Sequence, residues 1–156
     1  MLDLIVRNAR LPDAARPMDI AIRDGRIAAI APGVEGIAPE IDAAGHLVAP
    51  PFVDPHFHMD ATLSLGLPRL NRSGTLLEGI ALWGELKPLL TPEAVMERAL
   101  RYCDLAVAQG LLSIRSHVDV CDDRLTAVEA LLEVRARVAP HIDLQLVAFP
   151  QDGLLR

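Results

Sequence analysis

Aromatic side chains are scarce: three Phe, one Tyr and one Trp make up 3% of the chain. With so few rings there is no stacking platform for single-stranded nucleic acid. Positive charge is also short, with 15 Lys and Arg against 21 Asp and Glu. The basic residues are scattered, so no basic stripe is available for a phosphate backbone. Cysteine is limited to Cys103 and Cys121, which form no CxxC pair. They read as reduced, small apolar residues of a cytosolic protein. No window approaches the ~18 consecutive apolar residues that a membrane span needs. The opening "MLDLIVRNAR" has an acid at Asp3 and too short an apolar run for a signal peptide. Nucleic-acid and membrane partners are therefore not expected, and the protein is expected to be soluble and cytoplasmic.

What remains is a globular composition, 51% hydrophobic and 23% charged over 156 residues. A chain of that length buries roughly 70% of its unfolded surface, enough for a proper core. The first fifty residues have strand character. "LDLIVRN", "MDIAIRD" and "RIAAIAP" follow one another, and Asp24-Gly25 between the last two is a tight-hairpin dipeptide. "HLVAP" reads as a further short strand. Residues 1–48 are expected to form a small antiparallel β unit.

The pattern then changes. "TLLEGIALWGELKPLL" reads as a helix. Thr91-Pro92-Glu93 is a helix start, with a Thr N-cap, Pro in the first turn and an acid beside it. Apolar residues recur at helical spacing from Val95 to Val107, and Gly110 ends the helix. "LLSIRSHVDV" is strand-like. Thr126 with Glu129 predicts a capping box opening a helix that stops before Pro140. "IDLQLVAF" alternates as another strand. This rhythm is that of parallel βαβ units, and residues 49–156 hold about three of them. A closed (β/α)8 barrel needs eight strands and ~250 residues.

The stretch "PPFVDPHFHMD" spends two of five histidines, His56 and His58, inside one short apolar run. On a strand, positions i and i+2 share a face, so both imidazoles would aim one way and Phe57 the other. Such a pair begins a divalent metal site. It is also compatible with a chance pair, or with one structural histidine beside an exposed one. The strand opens a βα series and carries the pair at its C-terminal end, where barrel enzymes keep their chemistry. Asp60 follows, able to orient a ligand. His117 and Asp119 in "SHVDV" share a strand face as well, either near the metal or as a satisfied core pair.

"LDLIVRNAR", "DIAIRDGRIAAIAP" and "IDAAGHLVAPPFVDPHFHMD" together resemble the opening of the metal-dependent amidohydrolase superfamily. There a small β-sandwich precedes a (β/α)8 barrel whose first strand carries HxH. The continuation through "NRSGTLLEGIALWGELKPLLT", "SIRSHVDVCD" and "DLQLVAFPQDGLL" is similar to the bacterial cytosine deaminase branch. The resemblance implies an α/β fold: an N-terminal β-sandwich segment followed by the first part of a barrel. It implies one divalent metal ion, Zn or Fe, held in part by His56 and His58. It implies that Gln151 binds the substrate's amide-like edge and that Leu76 is a pocket wall. A carboxamide suits the first task, because it donates and accepts at once. Without the resemblance, Gln151 reads as a surface-loop residue and Leu76 as a buried helix-start leucine.

The implied activity is deamination of cytosine or a cytosine-like amino-heterocycle. Isocytosine, creatinine and N-alkylammelide hydrolysis are the alternatives within enzymes. The alternative outside them is an inactive barrel fragment or a split-chain subunit. Cytidine deaminases of the His-x-Glu and Pro-Cys-x-x-Cys type are a poor match, since neither motif is present. The branch also uses histidines on strands five and six, a glutamate after strand five and an aspartate on strand eight. These catalytic residues are expected outside this chain, on a companion C-terminal segment or chain, and the complete enzyme is expected to be a homo-oligomer.

Overall fold

A computed structural model of the protein describes residues 1–153. The last three residues of the expected 49–156 segment lie outside that range. The chain divides into two units, Met1–Pro50 and Pro51–Arg156.

In the first unit, β1 (Leu4–Ala9), β2 (Met18–Arg23), β3 (Arg26–Ala31) and β4 (Glu40–Asp42) form one sheet of order β3-β2-β1-β4. The β2–β3 hairpin turns on Asp24 and Gly25, both at positive φ (53° and 66°), as the dipeptide predicts. Two expectations fail here. The unit is not wholly antiparallel, because β4 pairs parallel to β1. Nor is "HLVAP" a strand: its pairing is a single bridge, Arg10 to Leu47. Pro50 and Pro51 supply no N–H to continue a ladder. The strand lies earlier, in three residues too few to show a period.

In the second unit, β5 (Phe52–Phe57), β6 (Leu111–Asp119) and β7 (Asp143–Phe149) form a parallel sheet of order β5-β6-β7. Helices α1 (Leu76–Leu86), α2 (Pro92–Ala108) and α3 (Thr126–Val138) occupy the connections. The α2 start forms as read: Thr91 accepts from the Ala94 amide, and Gly110 takes φ +76° past the other end. Val95, Ala99 and Cys103 of α2, Leu131 and Val134 of α3, and Ile114 and Leu144 of the sheet share one core.

The capping box at Thr126 and Glu129 does not form. Leu125 is the N-cap, at φ 50°, with no side-chain cap. Asp122 organises the entry instead: its carboxylate accepts from the Arg124 amide at 3.2 Å, and its carbonyl accepts from the Leu125 amide at 2.8 Å. The Thr126 hydroxyl donates to the same carboxylate. The turn thus uses up the residue that the motif reserves for the cap.

Candidate active site

The β5–β6 register slips between Asp54 and Phe57, where Pro55 has no amide to donate. The irregularity spans Pro55 and His56, the first of the two histidines. Strand β5 ends at Phe57, so His58 sits just beyond it, leading into a short 3-10 turn, Met59–Ala61. The two imidazoles still lie together, with ring centroids 5.4 Å apart. Phe57 turns away and stacks on Tyr102 of α2 at 4.4 Å.

The 59–61 turn is fixed from below and from the side. The Met59 amide donates to Ser116 Oγ at 2.9 Å, and Ser116 is fully buried. Arg98 of α2 donates to the carbonyls of Thr62 and Asp60, at 3.1 and 3.3 Å. Asp60 is buried, and its carboxylate accepts from the amides of Ala61 and Asp119, both at 2.9 Å. Burial pushes its pKa up, against the pull of those amides and of His58.

His117 comes closer than its sequence position suggests. Its ring stacks on His56 at 4.0 Å and lies 5.9 Å from His58. Among the described residues, its buried Nδ1 meets no hydrogen-bond partner. Partial burial lowers its pKa, helped by His56 and His58, against the pull of a backbone hydrogen bond with Phe57. Among the described residues, no group of three or more His, Cys, Asp or Glu side chains is arranged to hold a metal ion.

Asp119, at the end of β6, joins a different set. Its Oδ2 accepts from the Trp83 indole at 2.7 Å and pairs with Lys87 Nζ at 2.6 Å, while Oδ1 accepts from the Cys121 amide at 2.8 Å. Burial alone would raise its pKa, but the Lys87 ammonium and the two N–H donors outweigh it and lower it. Lys87 also pairs with Asp152 at 2.8 Å. Burial works against its charge as well, yet the two carboxylates leave its pKa raised. Trp83 and Lys87 belong to no site motif in the sequence. The available signals were the chain's one tryptophan and a lone charge inside the run "LKPLL".

A cleft of about 340 Å³ lies against this arrangement, lined by His58, Asp60, Leu76, Trp83 and Gln151 among others. Leu76 opens α1 and is 78% exposed, so it is not a core leucine. Gln151 is half-buried in the turn after β7, its amide donating to the Phe149 carbonyl at 3.0 Å. His56 is exposed and is not among the lining residues. Cys103 sits in the core, its thiol pushed up to about 11 by burial, and is a packing residue.

A parallel sheet with helical crossovers, preceded by a β unit and carrying HxH at the end of its first strand, matches the N-terminal part of solved amidohydrolase-type barrel structures. Residues 39–156 match the Amidohydrolase family, and the chain belongs to it. It is 37% identical over 161 residues to N-isopropylammelide isopropyl amidohydrolase of Pseudomonas sp. (strain ADP), covering 97% of this chain and 39% of that protein. It superposes on 5-methylcytosine deaminase from Klebsiella pneumoniae, solved with 5-fluorocytosine, with TM-score 0.88 and 45% identity. That match covers 96% of this chain and 37% of the other. N-isopropylammelide isopropylaminohydrolase from Burkholderia multivorans gives TM-score 0.81 at 28% identity, over 99% and 39%. The chain thus spans less than two fifths of each of these proteins. Among the described residues, no helix is long and apolar enough to cross a membrane.

Proposed function

We propose that this chain supplies two metal ligands and part of the ring-binding wall of an aminohydrolase acting on cytosine or a cytosine-like amino-heterocycle. The observation that carries the reading is the cleft, where His58 and Gln151 line one cavity although they lie 93 positions apart in sequence. The likeness to a deaminase solved with 5-fluorocytosine supports the choice of ring.

Part of a divalent ion's donor set is present. His56 and His58 offer neighbouring imidazoles, and neutral imidazole nitrogen suits Zn and Fe. The His117 ring, whose Nδ1 meets no hydrogen-bond partner among the described residues, stacks on His56 at 4.0 Å. His56 and His58 would hold the ion, with the remaining ligands on the rest of the polypeptide. When bound, it supplies the Lewis acidity that makes water nucleophilic near neutral pH.

The chain's own residues do the rest of what belongs to it. The Gln151 carboxamide donates to a ring carbonyl and accepts from a ring N–H, which orients the amidine carbon. Leu76 and Trp83 cover ring faces and exclude water. Overall, water adds to the C–NH2 carbon, and a ring carbonyl and ammonia result. The proton-transfer groups lie on the companion segment, and the complete enzyme is an oligomer of the cytoplasm.

The test uses the full-length protein. Metal content by plasma mass spectrometry and ammonia release are measured on cytosine, 5-methylcytosine, isocytosine and N-isopropylammelide. His56→Ala and His58→Ala should each lose the metal and cut turnover at least ~100-fold, in line with the loss of a directly acting group. Unchanged metal and rate would overturn the reading. The 37% identity to an N-isopropylammelide hydrolase favours a second reading, in which the N-alkylated triazine is turned over fastest. The same panel separates the two.

A further inference from the structure

The turn that carries Gln151 combines local backbone bonds with a long-range anchor. It follows β7, and two of its backbone bonds are local: Gln151 amide to Phe149 carbonyl and Gly153 amide to Pro150 carbonyl, both 3.0 Å. A ring-binding carboxamide has to be held firmly, because rotating it by half a turn exchanges donor and acceptor. The residue that follows, Asp152, is anchored from a distant part of the chain. Its carboxylate meets Lys87 Nζ at 2.8 Å, and its amide reaches Cys121 Sγ at 3.5 Å. Consecutive Cα atoms lie 3.8 Å apart, so holding Asp152 restrains Gln151.

Lys87 opens the short Lys87–Leu89 turn after α1 and is only 8% exposed. Its second carboxylate is Asp119, which also accepts the Trp83 indole N–H and whose amide donates to Asp60. Trp83, Asp60 and Gln151 are all walls of the cleft. One ammonium therefore ties together walls that come from α1, from the turn after β5 and from the turn after β7.

We infer that Lys87 is a positioning residue: acting through Asp152 and Asp119, it fixes Gln151 and Trp83 in the geometry that recognises the ring. The inference rests on the reading of the cleft as an amino-heterocycle site. Lys87 itself does not line that cleft. Its effect on turnover must pass through the residues it holds.

Full-length Lys87→Met, Asp152→Ala and Gln151→Ala, singly and combined, provide the test. Lys87→Met and Asp152→Ala should raise KM for the preferred substrate roughly tenfold with a smaller change in kcat, as expected for a displaced binding group. Neither should add to the defect of Gln151→Ala, because residues acting through one another are not additive. Asp152→Asn, which keeps an oxygen for Lys87, should restore most of the affinity. An unchanged KM, or the same tenfold loss in the Gln151→Ala background, would overturn the inference. If Lys87→Met does not fold, Asp152→Ala carries the same comparison from a half-buried position.

Hydrogen exchange separates this inference from the substrate reading. If the wild-type protein turns over none of the panel, the substrate reading is lost. The inference then stands or falls on amides 151–153. Faster exchange there in Lys87→Met, with α2 unchanged, supports the positioning role. Unchanged exchange refutes it.

Discussion

Arg7 and Lys87 are each flanked by two carboxylates, Asp19 and Glu40 in the first case, Asp119 and Asp152 in the second. Arg7 works within a sheet. Its guanidinium reaches Asp19 on β2 at 2.7 Å, Glu40 on β4 at 2.6 Å and the Val34 carbonyl at 2.6 Å. Those strands are already registered against β1 by their ladders. Its planar fork adds cross-links to a geometry set by the backbone. Lys87 works at the C-terminal end of the ladders. Its partners sit at the end of β6 and in the turn after β7, and its charge is buried. A point charge there sets side-chain positions that no backbone pairing dictates. The same pairing motif stiffens a sheet in one unit and shapes a cleft in the other.

The largest effect that would sharpen this contrast is expected from Asp119→Ala. It leaves Lys87 buried with half its compensation gone and Trp83 without an acceptor. Breaking a buried pair in this way costs about 3–5 kcal/mol. Urea unfolding of the full-length protein, followed by far-ultraviolet circular dichroism, measures it. A loss below about 1 kcal/mol would mean that the pair is no more than a surface contact.

Leu131→Ala supplies a control in the same unit. Leu131 is fully buried in the core, and its truncation should cost about 2–5 kcal/mol. Unlike Asp119→Ala, it should leave exchange at amides 151–153 unchanged relative to the rest of the unit. Equal local loosening by both variants would erase the distinction between core and cleft. Arg7→Met should have a smaller effect on the unfolding midpoint than either. Its faster exchange should be confined to the first unit, at the amides that Asp19 accepts, Asn8 and Val34.

The smallest effect is one of pH. Lys87 has its pKa raised above 10.5, so its contribution is complete below 10.5 and is lost as pH rises through the raised value. Arg7 stays charged throughout that range. Alkaline titration monitored by exchange should therefore loosen residues 151–153 before residues 7–8. At the acid end, Glu78 is lowered to about 2 by the Ser73 hydroxyl and amide and then by Arg69. Its hold on the start of α1 is complete above 4.5 and is lost as pH falls through about 2. Protection of the Ser73 amide that lapses near pH 4.5 would contradict that assignment.

The α2 boundaries and the Asp24-Gly25 hairpin could be read directly, because a Thr cap, a first-turn Pro and φ > 0 positions act within a few residues. The Thr126 capping box failed for the complementary reason. Asp122, four residues upstream, used its own local bonds first, and a motif search does not weigh that competition. Strand β4 is not legible in the sequence, because three residues carry no period and its pairing depends on β1 more than thirty residues away.

At the candidate site, the closeness of His56 and His58 follows from their spacing on an extended chain. The residues brought in by resemblance, Leu76 and Gln151, line a cleft with His58. Neither Lys87 nor the stacking of His117 on His56 could be read from the order of residues.

Local physics accounts for that division. Propensity, caps, turns and strand alternation depend on nearest neighbours, and they are written in the linear chain. They settled the βα rhythm and the presence of HxH at the end of a strand. Which carboxylates face Lys87, and which imidazole packs on His56, depend on contacts across tens of residues. Only the parallel pairing of β5, β6 and β7 brings those groups within a few ångströms, where burial makes each charge depend on its partners.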